Sequence, residues 1–172
     1  MILLTACGRA APRAAEGPPW DDSPVQTDSP VYTLRRTSNM LDATATLRYV
    51  NRTGRPVHYL RCSPRRPEPL HSIVRAAPDT ARIPLGVGVV RACAAGPTGV
   101  LAPGDSVVMR VWIGSIDQRE PDPRYTLRHR TGYMRILLDL CEGPARFSDC
   151  TLLPEAQRRS NRFRVVPPSE QP

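Results

Sequence analysis

Proline constrains this chain more than any other residue. Twenty prolines fall among 172 positions, against a usual share of about 5%. An interior proline removes a backbone donor and costs a helix about 3 kcal/mol, so the composition opposes a helical body and suits strands joined by many turns. The hydrophobic pattern agrees. In LDATATLRYVN, Leu41, Ala43, Ala45, Leu47 and Tyr49 alternate with Asp42, Thr44, Thr46 and Arg48, the period of two that marks a half-buried strand. It stops at Asn51-Arg52-Thr53-Gly54, where glycine supplies positive φ. Pro56–Leu60 is then expected to return as the partner strand of a hairpin.

Further strands are expected at Ile73–Ala76, along IPLGVGVVRAC with a bend at Gly86 or Gly88, at Val107–Ile113 after a Pro-Gly turn, at Gly132–Cys141, and at Asn161–Val166. Between them lie a proline loop, Ser63–His71, and a long polar loop, Gly114–Thr131. About seven short strands with almost no helical periodicity imply an all-β, two-sheet antiparallel sandwich. The length suits one domain that folds without a metal, since a body of this size buries roughly two-thirds of its unfolded surface. No run of 18 apolar residues is present, so no transmembrane helix is expected.

The start of the chain carries an address. Leu4-Thr5-Ala6-Cys7 resembles the lipobox of bacterial lipoproteins, in which small residues precede a cysteine that becomes lipidated. Six residues precede Cys7, fewer than a working signal peptide needs, so translation is expected to begin upstream. The resulting organisation is a truncated signal ending at Cys7, a Pro-rich tether over 8–30, a sandwich over 31–166 and a frayed tail over 167–172. With Cys7 set aside, four cysteines remain. Cys141 and Cys150 flank the polar excursion CEGPARFSDC and are expected to pair, which leaves Cys62 to pair with Cys93. The alternative is four buried free thiols in a reducing compartment.

Charge and chemistry narrow the function classes. The net charge is +8, but all 24 basic residues are arginine, scattered, and aromatics make up only 5%. Nucleic-acid binding is therefore not expected, because no stacking platform accompanies the charge. There is no CxxC, and His58, His71 and His129 lack ligand spacing, so no metal or other cofactor is expected. Gly86-Val87-Gly88 lacks the third glycine and following helix of a phosphate cradle. The carboxylates Asp117, Glu120 and Asp122 share one arginine-rich loop, a poor cage for calcium. No serine sits in a Gly-x-Ser-x-Gly elbow, and no enzymatic activity is expected.

The order of features carries a resemblance. The Asn-x-Thr-Gly-x-Pro-Val turn (Asn51–Val57) is followed by Cys62, Cys93 and the Leu-x-Pro-Gly-Asp-Ser turn (Leu101–Ser106). Gly132-Tyr133-x-Arg135 and Ser160-Asn161-x-Phe163-x-Val165 complete the series. Over residues 31–166 this resembles the immunoglobulin-like domains of exported bacterial lipoproteins, and it is similar in layout to the bacterial intracellular proteinase inhibitor domain. The Gly-x-Tyr element is similar to a tyrosine corner, which pins a strand to its connecting loop.

The resemblance implies a non-enzymatic, monomeric lipoprotein of the cell envelope, anchored through Cys7 on the outer membrane or periplasmic side, that meets an envelope protein or glycan. Sandwich loops cluster at the ends and carry recognition, so Arg65, Arg66, Arg124, Tyr125, Arg128, His129 and Arg130 are candidate contact residues. Two alternatives stand beside this reading. One is a proteinase inhibitor presenting an arginine from Arg61–Pro67. The other is a polysaccharide-binding module using Trp20 or Trp112.

Overall fold

In the computed structural model, residues 22–37, 40–63, 66–76, 98–113, 131–144 and 149–168 are described. Twelve strands lie among them: β1 (Val25–Thr27), β2 (Val31–Thr33), β3 (Arg35–Thr37), β4 (Met40–Val50), β5 (Val57–Ser63), β6 (Arg66–Pro69), β7 (His71–Arg75), β8 (Thr98–Leu101), β9 (Ser106–Ile113), β10 (Gly132–Leu138), β11 (Leu140–Cys141) and β12 (Phe163–Val166). A single helical turn, Glu155–Arg158, is the one helix among the described residues. The chain is all-β.

The clean alternation becomes β4, the hub of the first layer. Ala45, Leu47 and Tyr49 are fully buried while Thr44 and Arg48 stay exposed. Strand β9 runs antiparallel to it without interruption from Ala43↔Ile113 to Val50↔Ser106. Strand β1 pairs antiparallel with its end, Val25 opposite Tyr49, and β3 pairs with its start.

The second layer follows the order β2-β12-β10-β7, continued by β11, β5 and β8. Strand β12 is antiparallel to β10 and parallel to β2. Strands β10 and β11 form one lane, and the lane beside it is built from two separate segments. Tyr59 in β5 faces Leu140, and His71 in β7 faces Leu138. Between them the β5–β6 hairpin leaves the sheet and returns, closed by the Leu70 N–H on the Leu60 carbonyl (2.9 Å).

Side chains from both layers meet in one core. Val25, Leu47, Tyr49, Met109, Val111 and Ile113 come from the first, and Val57, Ile73, Met134, Ile136, Leu138 and Phe163 from the second. Burial of this apolar surface is the main force holding a sandwich together. Tyr32 meets Phe163 edge to face, with ring centroids 5.4 Å apart. A second, smaller cluster forms on the outside of the second layer, where Leu60 and Cys141 are covered by Leu70 and Cys150.

Several expectations change. Pro56–Leu60 does not form a hairpin with the preceding strand: β4 is flanked by β1, β3 and β9, and β5 pairs instead with β11, β6 and β8. The Asn51 turn swings the chain from one layer to the other, so Val57 and Tyr59 reach the core from its opposite side. The segment Gly132–Cys141 is broken at Asp139, whose N–H bonds to the Leu70 carbonyl (2.7 Å) where the hairpin re-enters. Strand β1 lies inside the stretch 8–30 expected to be tether; Val25 is completely buried there, so the folded body begins before residue 31. IPLGVGVVRAC lies outside the described residues.

Candidate functional site

The two turn motifs converge on one buried side chain. Asn51 is 1% exposed, and its Nδ2 donates to the carbonyls of Arg55 (2.7 Å) and Leu101 (2.9 Å). Its Oδ1 accepts from the Thr53 N–H and hydroxyl. Its backbone N–H reaches the Asp105 carbonyl and its carbonyl accepts from Gly104, both at 2.9 Å. Gly54 and Gly104 take positive φ, 73° and 85°, which lets both turns close around it. The Asn-x-Thr sequence therefore works as a structural clasp, and its amide nitrogen is fully engaged.

The closing motif is a clasp of the same kind. Asn161 Oδ1 accepts from the Thr27 N–H (2.7 Å), and its Nδ2 donates to the Thr27 hydroxyl (2.9 Å). Ser160 Oγ accepts from the Ile136 N–H (2.8 Å). Nearby, Tyr32 donates its hydroxyl to the Asp28 carboxylate. Burial opposes ionisation of Asp28, but hydrogen bonds from Tyr32 and Thr46 outweigh it and hold the carboxyl below its ordinary range. Burial and that carboxylate together push the Tyr32 phenol up.

The expected anchor Cys7, the expected disulfide partner Cys93, the candidate contact residues Arg65, Arg124, Tyr125, Arg128, His129 and Arg130, and Trp20 lie outside the described residues. Arg66 is placed by its backbone, paired with Ser63 in the β5–β6 hairpin, and Cys62 by its backbone in β5. Arg61 at the base of that hairpin donates to the Thr98 carbonyl (3.1 Å). Cys141 and Cys150 form a disulfide with Cα atoms 5.5 Å apart.

What the structure does display is two contrasting outer faces. On the first layer Trp112 pairs with Thr44, Arg110 with Thr46 and Val108 with Arg48. Trp112 is half-buried, its indole N–H donated to Asp42 (3.1 Å). On the second layer one row runs across three strands: Val31 beside Arg164, and Arg164 beside Tyr133. Val31 and Tyr133 are 45% and 48% exposed. The Arg162 guanidinium stacks on the Tyr133 ring, 4.5 Å from its centroid. Arg135, one step along β10, donates to the Ser160 carbonyl (2.6 Å). Tyr133 is thus a surface residue, where the sequence had placed it at a tyrosine corner. The signal was present in NRFRVV: arginines alternate with Phe163 and Val165, so they must point outward when those residues point in.

His71 occupies the core-facing phase at the edge of the second layer, with Nδ1 3.5 Å from the Pro69 carbonyl. Burial pushes its imidazole down, against the pull of Asp139 and Glu68. No group of three His, Cys, Asp or Glu residues is arranged to hold a metal among the described residues. Comparison with known proteins returns no matching family model and no matching curated protein.

Proposed function

We propose that this chain is a non-enzymatic lipoprotein of the bacterial cell envelope, anchored through Cys7, whose immunoglobulin-like sandwich serves a binding or structural role. The observation that carries the reading is the Cys141–Cys150 disulfide, because such bonds form and persist in oxidising compartments. The topology supports the domain type. A constant-type immunoglobulin sandwich sets its first, second, fourth and fifth strands against its third, sixth and seventh, and all but the fourth have a counterpart on the matching side here. Here β1, β4 and β9 lie on one layer, and β5 with β7, β10 and β12 on the other. Expression with the native upstream DNA in a bacterial host fed a clickable fatty acid tests the anchor. Label on the chain, lost in Cys7→Ser, is the expected result; an unlabelled chain overturns the anchor.

One observation favours proteinase inhibition as a second reading. The β5–β6 hairpin departs from the sheet between Leu60 and Leu70, with Arg61 at its base donating to the Thr98 carbonyl, and Arg65 falls between its two strands in the sequence. A panel of trypsin-like serine proteases decides it, since an absence of inhibition at micromolar protein removes the reading.

A further inference from the structure

We infer that the outer face of the second layer, centred on Tyr133, Arg162, Arg164 and Val31, docks on an anionic phospholipid surface. This goes beyond the anchor at Cys7 and does not depend on it.

The four strands under this face carry charge of one sign. Strands β2 (VYT), β7 (HSIVR), β10 (GYMRILL) and β12 (FRVV) contain no carboxylate, while Arg164 is exposed on β12 and Arg162 just before it. The first layer's outer face also exposes an apolar residue, Val108 at 61%, beside Arg48 and Arg110, but it differs in carrying Asp42. Arginine beside anionic lipid is favourable, and each one near the surface strengthens binding severalfold.

The same face exposes apolar surface where the charge is. Val31 and Tyr133 stand 45% and 48% exposed in one cross-strand row with Arg164. An amphipathic tyrosine stacked under an arginine suits the boundary between headgroups and acyl chains, where the ring enters and the guanidinium stays with phosphate.

Geometry separates a bilayer from an acidic polypeptide. Strand β12 is paired on both sides, by β2 and β10, and β10 by β12 and β7. The centre of the face therefore offers no free backbone for strand addition. Side chains over two central strands paired on both sides suit a surface partner such as a bilayer.

The test uses the full chain carrying Cys7→Ser, so that no lipid anchor contributes, and leaves the labelling result for Cys7 independent. Co-sedimentation is measured with vesicles of phosphatidylglycerol and phosphatidylcholine, and with phosphatidylcholine alone. Binding to the anionic vesicles only, weakened by salt, is expected. Replacing Arg162 and Arg164 together by Ala should weaken it about thirtyfold at low salt. Replacing Arg48 and Arg110 on the opposite face removes the same charge and should change it far less. Equal loss from both pairs, no binding, or full displacement by soluble polyglutamate overturns the proposal. Tyr133→Trp supplies a second readout independent of charge: its emission should shift to the blue and be quenched by brominated lipid, and an unchanged emission also overturns it.

Discussion

The two layers solve the same problem differently. The first is regular: β4 and β9 stay in register for eight consecutive pairs, and burial alternates along β4 almost without exception. The second is repeatedly interrupted. Its central lane breaks at Asp139, the lane beside it is spliced around the β5–β6 hairpin, and the chain leading to β12 detours through the turn Glu155–Arg158. Where a lane is interrupted, local hydrogen-bonded pairing cannot hold it alone. Ties of other kinds add to it, among them the Cys141–Cys150 disulfide, the close Tyr59–Gly99 contact and the Asn51 clasp between the layers.

The largest loss of stability is expected at the clasp. Asn51→Ala removes both donors to Arg55 and Leu101 and the acceptor for Thr53; at about 1 kcal/mol or more for each buried partner left unmet, the cost is expected near 3 kcal/mol in urea unfolding. A loss below about 1 kcal/mol would show that water replaces the clasp. Next comes the disulfide. Its ten-residue ring is worth about 2–3 kcal/mol in the loop-entropy account, so Cys141→Ser with Cys150→Ser should lower the thermal midpoint while leaving the strand content by circular dichroism unchanged.

Gly99→Ala sharpens the contrast at the outer lane. A Cβ there would stand 2.1 Å from the Tyr59 ring, and because Tyr59 is 8% exposed and packed in the core, its ring has little room to yield. A cost of about 1–3 kcal/mol is expected, and the double variant Gly99→Ala, Tyr59→Leu should recover part of it. The smallest effect is a slope with pH. Burial lowers the His71 pKa below 6.5, so the unfolded chain binds the proton first and stability falls as pH drops below that value, levelling off below the folded pKa. Asp139 and Glu68, which face His71, pull the other way. Unfolding midpoints of the native chain and His71→Gln across this range should diverge, with the flatter profile in the variant.

Legibility followed regularity. The alternation of Leu41 to Tyr49, of Val107 to Ile113 and of Met134 to Leu140 was readable because a strand with one wet face repeats every two residues. The pairing Cys141–Cys150 was readable because so short a polar excursion brings its ends together. The hairpin expected after Asn51 failed because turn residues report a change of direction without saying which layer the next strand joins. The exposed row of Val31, Arg164 and Tyr133 was not visible for a related reason: its members are 102 and 31 positions from Tyr133 along the chain, at 31 and 164.

The order of residues is enough for the class of structure, the in-or-out phase of the regular strands, and the turns at Asn51 and Pro103-Gly104. Each depends on neighbours a few residues apart, through pleat periodicity, proline's missing donor and glycine's open φ. Which strands are neighbours, that the Asn51 motif clasps two layers, and that the carboxylate-free strands β2, β7, β10 and β12 lie side by side follow from tertiary structure. Those outcomes rest on packing between segments far apart in the chain, where burial of shared apolar surface, and no local rule, selects the partner.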